Sequence, residues 1–253
     1  MPGRAVAAAF AGLLLALALW PVSAIAGPRL TVVELYTSQG CPLCPPAEVY
    51  LGELAQRGDL LPLAFHVDYW DHLGWSDRFA EPAFSRRQQR YSDQLGLPYV
   101  YTPQIVVDGH LQVSGSHLDE VEAEIESVHA DEGAVEVTLT RLSPVRLRIQ
   151  IPAAALEEGG ADVILVGFDE RHETEIVGGE NSGMTQVNHH VVRAAKSIAS
   201  WNGDRFDLTV PLDADHDGTD YCAVLVQRHG QGRIIGAAKI DMRVPGPKPA
   251  DKG

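Results

Sequence analysis

The sequence predicts an α/β protein with two parts, an N-terminal segment of alternating strands and helices and a C-terminal segment of antiparallel strands. Between residues 30 and 129, apolar runs of strand type alternate with runs at helical spacing. After Gly133, short and mostly alternating runs follow one another, separated by Gly, Pro, Asn or Asp. With 45% hydrophobic residues among 253, the composition is that of a globular protein and excludes disordered, collagenous and disulfide-scaffold classes.

Residues 1–26 have the pattern of a secretory signal peptide. Arg4 supplies a positive start, residues 6–20 are an apolar run, Pro21 ends it, and the small residues within 24–26 offer a cleavage site. The run is shorter than the roughly 20 residues that a membrane span needs. We therefore predict a secreted or periplasmic protein without a stable membrane anchor after cleavage, in a compartment where cysteines can be oxidised.

The first half of the N-terminal segment predicts a strand, a turn, a helix and a second strand. Leu30–Tyr36 is rich in β-branched and aromatic residues, as expected of a buried strand. A Ser-Gln-Gly turn and the motif Cys-Pro-Leu-Cys-Pro-Pro follow. Apolar residues at helical spacing predict a helix over 47–56, and Gly58 ends it. Leu60–Tyr69 is the second strand.

The second half predicts a helix, a hairpin and a further helix. Asp77 is the predicted N-cap of a helix that runs to about Leu95. Thr102-Pro103 precedes a short strand, and Asp108-Gly109 predicts a tight hairpin turn. A last helix is expected from Ser116 to about His129, because its apolar residues share one face.

The predicted division of the chain follows from these patterns. Residues 27–131 form the first domain, residues 132–244 a β-rich, sandwich-like antiparallel domain, and residues 245–253 a flexible tail. The formal net charge is −14, and no cluster of Lys and Arg is present in the sequence. These two features argue against nucleic acid and anionic membranes as partners.

Cys41 and Cys44 form a CxxC motif beside a strand–helix unit, which is typical of a redox pair. Cys41, predicted to lie at the exposed end of the turn, is the candidate nucleophile, since a helix N-terminus stabilises a thiolate. Cys44 would then resolve the mixed disulfide. Pro45-Pro46 weakens the dipole argument, because the helix then begins only at Pro45 with Cys44 as its cap. We expect a Cys41–Cys44 disulfide and a buried, unpaired Cys222 in the native protein.

Three other uses of the motif stay open. A structural zinc site needs further ligands, and the remaining cysteine, Cys222, lies far along the chain. A Cu(I) site would combine the two thiolates with His66 or His72. An inert structural disulfide is the third alternative. The leading prediction has no resident metal and no cofactor.

Residues near the motif supply further candidates for the site. Glu34, seven residues before Cys41, is a candidate general base, and a hydrogen-bonded structural carboxylate is the alternative. Aromatic and acidic residues also crowd at the end of the second strand, where they either line a substrate cleft or pack a loop whose carboxylates cap backbone N–H groups. These candidates are His66, Asp68, Trp70, Asp71 and Trp75.

The order of elements is that of a thioredoxin-like domain, and several longer strings resemble one family. The strings cover residues 34–48, 66–71, 73–75, 101–104, 179–183, 190–193 and 226–227. They look like the secreted thioredoxin-like family catalogued as domain of unknown function 1223. The resemblance covers nearly the whole mature chain and implies a fold, but it implies no reaction. It further implies that Pro103 is cis, that Thr102 contacts the sulfurs, and that the backbone before Pro103 pairs with substrate.

These observations predict an extracytoplasmic protein that carries out thiol-disulfide exchange through Cys41. Its partners would be protein or small-molecule thiols and disulfides. The alternative is a non-enzymatic module that holds a ligand or Cu(I) in the same cleft.

Overall fold

The computed structural model describes residues 30–129, 135–156, 159–212, 216 and 218–243. The predicted signal peptide and the predicted tail lie outside the described residues. Within those ranges, no helix has the length and apolar composition that a membrane span requires.

The described residues form strands, three α-helices and one 3₁₀ helix. In chain order the elements are β1 (Thr31–Thr37), α1 (Pro45–Leu54), β2 (Leu60–His66), the 3₁₀ helix (Asp71–Leu73), α2 (Pro82–Gln94), β3 (Gln104–Val107), β4 (Leu111–Ser114), α3 (Leu118–His129), β5 (Thr138–Ser143), β6 (Arg146–Ile151), β7 (Ala161–Glu175), β8 (Thr185–Trp201), β9 (Phe206–Pro211), β10 (Tyr221–Arg228) and β11 (Ile234–Asp241).

The strands form one large mixed sheet and one small antiparallel sheet, which confirms the α/β class. The large sheet has the order β11-β10-β7-β8-β2-β1-β3-β4, and the small one has the order β5-β6-β9. β1 is parallel to β2 and antiparallel to β3. β2 also pairs with β8, where Ala64 lies opposite Val191. Strands on both sides of the predicted boundary at residue 131 therefore share one continuous sheet.

The two faces of the large sheet pack against different helices. On one face Tyr36 and Phe65 pack with Phe84 and Tyr91 of α2. On the other face Leu35 belongs to the core cluster of α1 and α3. Because neighbouring strand residues point to opposite faces, even-numbered residues of β1 face α2 and odd-numbered residues face α1. This alternation decides which β1 side chains reach the cysteines.

The second helix begins at Pro82, so the predicted start at Asp77 is wrong. Proline has no N–H and fits the first turn of a helix, and α2 starts there. The Asp77 carboxylate accepts hydrogen bonds within the preceding loop, from the backbone N–H of Phe79 at 2.9 Å and of Gln39 at 2.8 Å. Asp77 thus ties this loop to the turn before Cys41.

Candidate functional site

Cys41 and Cys44 form a disulfide at the N-terminus of α1, with their Cα atoms 5.4 Å apart. Cys44 is the N-cap residue and Pro45 is the first helical residue, as the prolines predict. Cys222 is buried and unpaired. Burial raises the pKa of its thiol to about 11, so this cysteine is a poor competitor in exchange near neutral pH.

The disulfide is covered, so the prediction that Cys41 faces solvent is wrong: the exposed fraction is 0% for Cys41 and 1% for Cys44. The segment between β7 and β8, residues 176–184, is here called the cover loop. In it, Asn181 Nδ2 donates to the carbonyl oxygens of Gln39 at 2.8 Å and of Cys41 at 2.9 Å. Because these contacts come from residues about 140 positions further along the chain, the local pattern around the motif does not reveal them.

Glycines let the cover loop lie directly on the loop that follows β2. Gly179 has φ +69°, and a Cβ there would lie 3.0 Å from Trp75 Cβ. A Cβ on Gly178 would overlap the carbonyl oxygen of Gly74. Trp75 Nε1 in turn donates to Gln39 Oε1 at 3.1 Å. The cover loop, the β2–α2 loop and the turn before Cys41 therefore pack as one unit.

The peptide bond between Thr102 and Pro103 is cis, as the family resemblance implies. Pro103 lies next to the first turn of α1: a Cβ on Gly115 would be 3.0 Å from Pro103 Cβ and 3.2 Å from Ala47 Cβ. The Thr102 hydroxyl accepts a hydrogen bond from Trp70 Nε1 at 2.8 Å. Pro103 is thus beside the helix that carries Cys44, while the side chain of Thr102 is held by Trp70.

Glu34 is not brought to the cysteines, which corrects its assignment as a candidate general base. It is an even-numbered residue of β1, so it points toward α2, away from α1. Arg87 Nε donates to Glu34 Oε1 at 2.8 Å, and Tyr91 donates to Oε2 at 2.5 Å. Gln227 bonds both partners, accepting from Arg87 at 3.0 Å and donating to the Tyr91 hydroxyl at 2.8 Å. Glu34 is the centre of a buried structural network.

The two tryptophans among the predicted cleft residues flank the turn. A Cβ on Gly40 would lie 3.3 Å from Trp70 Cβ, and Trp75 bonds Gln39. His66 is fully buried and therefore does not line an open cleft. That part of the cleft prediction is wrong, because β2 carries His66 beneath α1.

The two predicted cleft carboxylates, Asp68 and Asp71, are held by neighbouring residues, Asp68 by helix α2 and Asp71 by its own loop. Asp68 accepts from the hydroxyl of Ser85. Asp71 accepts from the hydroxyl of Ser76 at 3.2 Å and from the backbone N–H of Asp77 at 3.1 Å. These contacts agree with the packed-loop alternative.

Glu48 is not among the residues predicted from the sequence, yet it is buried beside the disulfide. It lies one turn after Cys44, and its N–H donates to the Cys44 carbonyl oxygen at 3.1 Å. Helical side chains lean toward the N-terminus, so the Glu48 carboxyl lies over the turn that contains Cys44. The sequence does contain a sign of this burial. Glu48 lies on the same face of α1 as the apolar residues Ala47 and Leu51, which are buried.

Glu48 belongs to a buried polar cluster made of Thr37, Glu48, His66 and Asn188. His66 Nε2 is 3.8 Å from Glu48 Oε1, and His66 Nδ1 is 2.6 Å from Asp77 Oδ2. Several polar atoms of the cluster have no partner at full hydrogen-bond geometry among the described residues: both Glu48 oxygens, His66 Nε2, Thr37 Oγ1 and Asn188 Nδ2. Thr37 and Asn188 act on Glu48 only through looser contacts. Buried polar atoms are nearly always hydrogen-bonded, so this concentration of exceptions marks the cluster as a functional candidate.

The acid–base groups of the cluster have shifted pKa values. Burial raises the pKa of Glu48, and the positive charge of His66, together with the side chains of Thr37 and Asn188, opposes that shift in part. Burial favours neutral His66, but the charge and hydrogen bond of Asp77, together with the charge of Glu48, outweigh it and raise the pKa of His66. The pKa of Asp77 is lowered: burial opposes ionisation, but His66 and the N–H groups of Gln39 and Phe79 outweigh it.

For metal ions, the described part of the chain contains no group of three or more His, Cys, Asp or Glu side chains placed to hold one. His72, the second candidate for a Cu(I) ligand, is exposed in the 3₁₀ helix. His66 directs one nitrogen to Asp77 and the other toward Glu48.

Comparison with known proteins identifies the family and a solved relative. The family model described as "Protein of unknown function (DUF1223)" matches residues 32–227. The X-ray crystal structure of a protein from Agrobacterium tumefaciens is similar, with a TM-score of 0.76 and 28% identity, covering 87% of this chain and 98% of that chain. No curated protein matches.

Proposed function

Since the chain belongs to the DUF1223 family, whose description assigns no reaction, we propose its function from the site itself. The protein is an extracytoplasmic thiol-disulfide exchange protein that acts through the Cys41–Cys44 pair. Its partners are protein or small-molecule thiols and disulfides. The location outside the cytosol is proposed from the signal-peptide pattern of residues 1–26.

The observation that carries the proposal is a CxxC disulfide at the N-terminus of α1, while the cis-proline Pro103 shares the neighbour Gly115 with Ala47 in the first turn of that helix. The strand order β2-β1-β3-β4, with β1 parallel to β2 and antiparallel to β3, supports a thioredoxin-like fold for residues 30–129, the described part of the first predicted domain. The helix N-terminus favours a thiolate at this position. A purely structural disulfide needs neither the helix N-terminus nor the proline beside it.

The exchange has two steps. In the reduced pair, the Cys41 thiolate attacks one sulfur of a partner disulfide, forming a mixed disulfide and releasing one partner thiolate. The Cys44 thiolate then attacks Cys41 Sγ, the Cys41–Cys44 bond forms, and the second partner thiolate leaves with the electron pair. The partner disulfide is reduced and the pair is oxidised, and a partner dithiol drives the same steps in reverse.

The cover loop must move before a partner sulfur reaches the buried pair, and Asn181 is its main contact with the turn. We expect Asn181→Ala to be reduced by dithiothreitol roughly 5- to 150-fold faster than the wild type, because two hydrogen bonds of about 0.5–1.5 kcal/mol each are lost. The rate is measured by alkylating the released thiols over time. Ser182→Ala, an exposed position in the same loop, is the control. Equal rates in all three proteins would show that Asn181 does not limit access.

The proposed function is tested by adding catalytic amounts of the protein to insulin and dithiothreitol. We expect the wild type and Cys222→Ala to accelerate insulin reduction, because Cys222 is buried and outside the pair. Cys41→Ala should give only the uncatalysed rate. If the wild type also gives only the uncatalysed rate, thiol-disulfide exchange is rejected in favour of a binding module.

A further inference from the structure

We propose that Glu48 is the proton acceptor for the Cys44 thiol and that His66, held by Asp77, is the positioning residue that keeps Glu48 able to ionise. The inference rests on the exchange proposed above and adds an acid–base site to it. Three observations support this site: the position of Glu48 one turn after Cys44, the polar atoms of the cluster that lack full hydrogen bonds, and the hydrogen bonds that join the cluster to the turn before Cys41.

The position of Glu48 follows from helix geometry. Residues four apart on a helix share a face, and Glu48 follows Cys44 by four residues. Both side chains are almost completely excluded from solvent, at 3% and 1% exposure. A thiol buried at this position has little direct access to bulk water, so a neighbouring base speeds the loss of its proton.

The Glu48 carboxyl is held more loosely than that of Glu34. Neither Glu48 oxygen has a partner at full hydrogen-bond geometry, and Thr37, Asn188 and His66 act on the carboxyl without reaching that geometry, whereas both Glu34 oxygens are bonded. A buried carboxyl without full hydrogen bonds costs stability. Such a loss of stability next to the cysteine turn is expected where the carboxyl takes part in the reaction.

The polar cluster is also tied to the turn that carries Cys41. Gln39 N donates to Asp77 Oδ2 at 2.8 Å, and Gln39 Nε2 donates to Asn188 Oδ1 at 2.9 Å. Asp77 binds His66, and Asn188 lies in the cluster with Glu48. Glu48 and His66 are therefore held in a fixed relation to the disulfide.

The proton transfer completes the second step of exchange. Glu48, ionised, takes the proton of the Cys44 thiol, and the resulting thiolate attacks Cys41 Sγ of the mixed disulfide. The Cys41–Cys44 bond forms, the bond from Cys41 to the partner breaks, and the partner thiolate leaves with the electron pair. The proton then leaves protonated Glu48 for the departing thiolate or for water. In the reverse direction Glu48 returns it to Cys44.

The charged groups that face Glu48 define the expected pH dependence. They are His66 from β2 and Asp77 from the following loop, and Arg193 from β8 acts on His66. Because Glu48 must be ionised to accept the proton, the second step should speed up as the pH rises through its raised pKa, above the ordinary 4.5. In His66→Gln the positive partner is lost, so this rise should move to higher pH.

The experiment uses the reduced protein and Ellman's reagent, an aromatic disulfide that releases a coloured thiolate at each step. The first release reports attack by Cys41, and the second reports ring closure by Cys44. We expect Glu48→Gln to leave the first release within about twofold of the wild type and to slow the second roughly 10- to 100-fold, as loss of a general base does. Glu48→Asp should recover part of the rate.

Glu53→Gln, at an exposed position of the same helix, is the matched control and should keep both rates. Circular dichroism confirms that each variant is folded. If Glu48→Gln keeps the wild-type second release and its pH profile, the assignment of Glu48 fails while exchange stands. If the wild type shows no second release, the pair does not close and both proposals fail.

Discussion

Replacing Arg87 with alanine is expected to lower the free energy of unfolding by about 3–5 kcal/mol. The Arg87 guanidinium is the positive partner of Glu34, whose exposed fraction is 0%. Without Arg87 the carboxylate stays buried between β1 and α2 with only Tyr91 bonded to it, and Gln227 loses a donor. An unpaired buried charge costs several kcal/mol, whereas the intact pair adds little net stability.

Chemical denaturation of the oxidised protein measures this effect. Arg86→Ala is the matched control, because Arg86 is the exposed neighbour on the same helix. It should stay within about 0.5 kcal/mol of the wild type. If Arg87→Ala does not fold, Arg87→Lys keeps the charge, loses part of the hydrogen bonding and should give a smaller loss. A change below about 1 kcal/mol in Arg87→Ala would show that Glu34 does not depend on this partner.

The second large effect is an asymmetry between the two cysteines. We expect Cys44→Ala to accumulate mixed disulfides with partners at least roughly tenfold more than Cys41→Ala. Asn181 binds the Cys41 carbonyl, so we expect movement of the cover loop to free the turn that carries Cys41. Cys44 is the N-cap beneath Pro45 and remains covered by the helix. Adducts with oxidised glutathione, counted by mass spectrometry, measure the difference.

The double variant Cys41→Ala, Cys44→Ala provides the background from Cys222, which should be close to zero because that thiol is buried. Equal adduct formation by the two single variants would overturn the assignment of Cys41 as nucleophile. The absence of adducts in both would leave the pair without an exchange role.

Most elements of the first segment could be predicted because they depend on local pattern. The strand before the motif, the hairpin at Asp108-Gly109 and the helix ending near His129 all occur close to their predicted places. The start of α2 was harder to predict, because Asp77 has the chemistry of an N-cap. From the loop before α2, its carboxylate instead accepts hydrogen bonds from the backbone N–H groups of Gln39 and Phe79 and contacts His66 Nδ1.

For the site, the sequence predicted the pairing of the two cysteines better than it predicted the residues around them. Cys41 and Cys44 form the expected disulfide, and the bond before Pro103 is cis, as the resemblance implies. Glu34 does not join them. Successive residues of a strand point to opposite faces of the sheet, and Glu34 points to the face that packs against α2, whereas the cysteines lie at α1 on the other face. Glu48 occupies the buried position instead, and an acidic residue on a helix is ordinarily taken as solvent-exposed.

By itself, therefore, the sequence determined the α/β class, the CxxC motif before a helix and the unpaired Cys222. Local periodicity and residue type encode these features within a few turns or strands. Only the tertiary structure decided that the loop between β7 and β8 binds the backbone of the turn at Cys41 and that Asn188 bonds Gln39. These contacts join residues 140 and 149 positions apart, and they exist only because β8 pairs with β2 in one sheet.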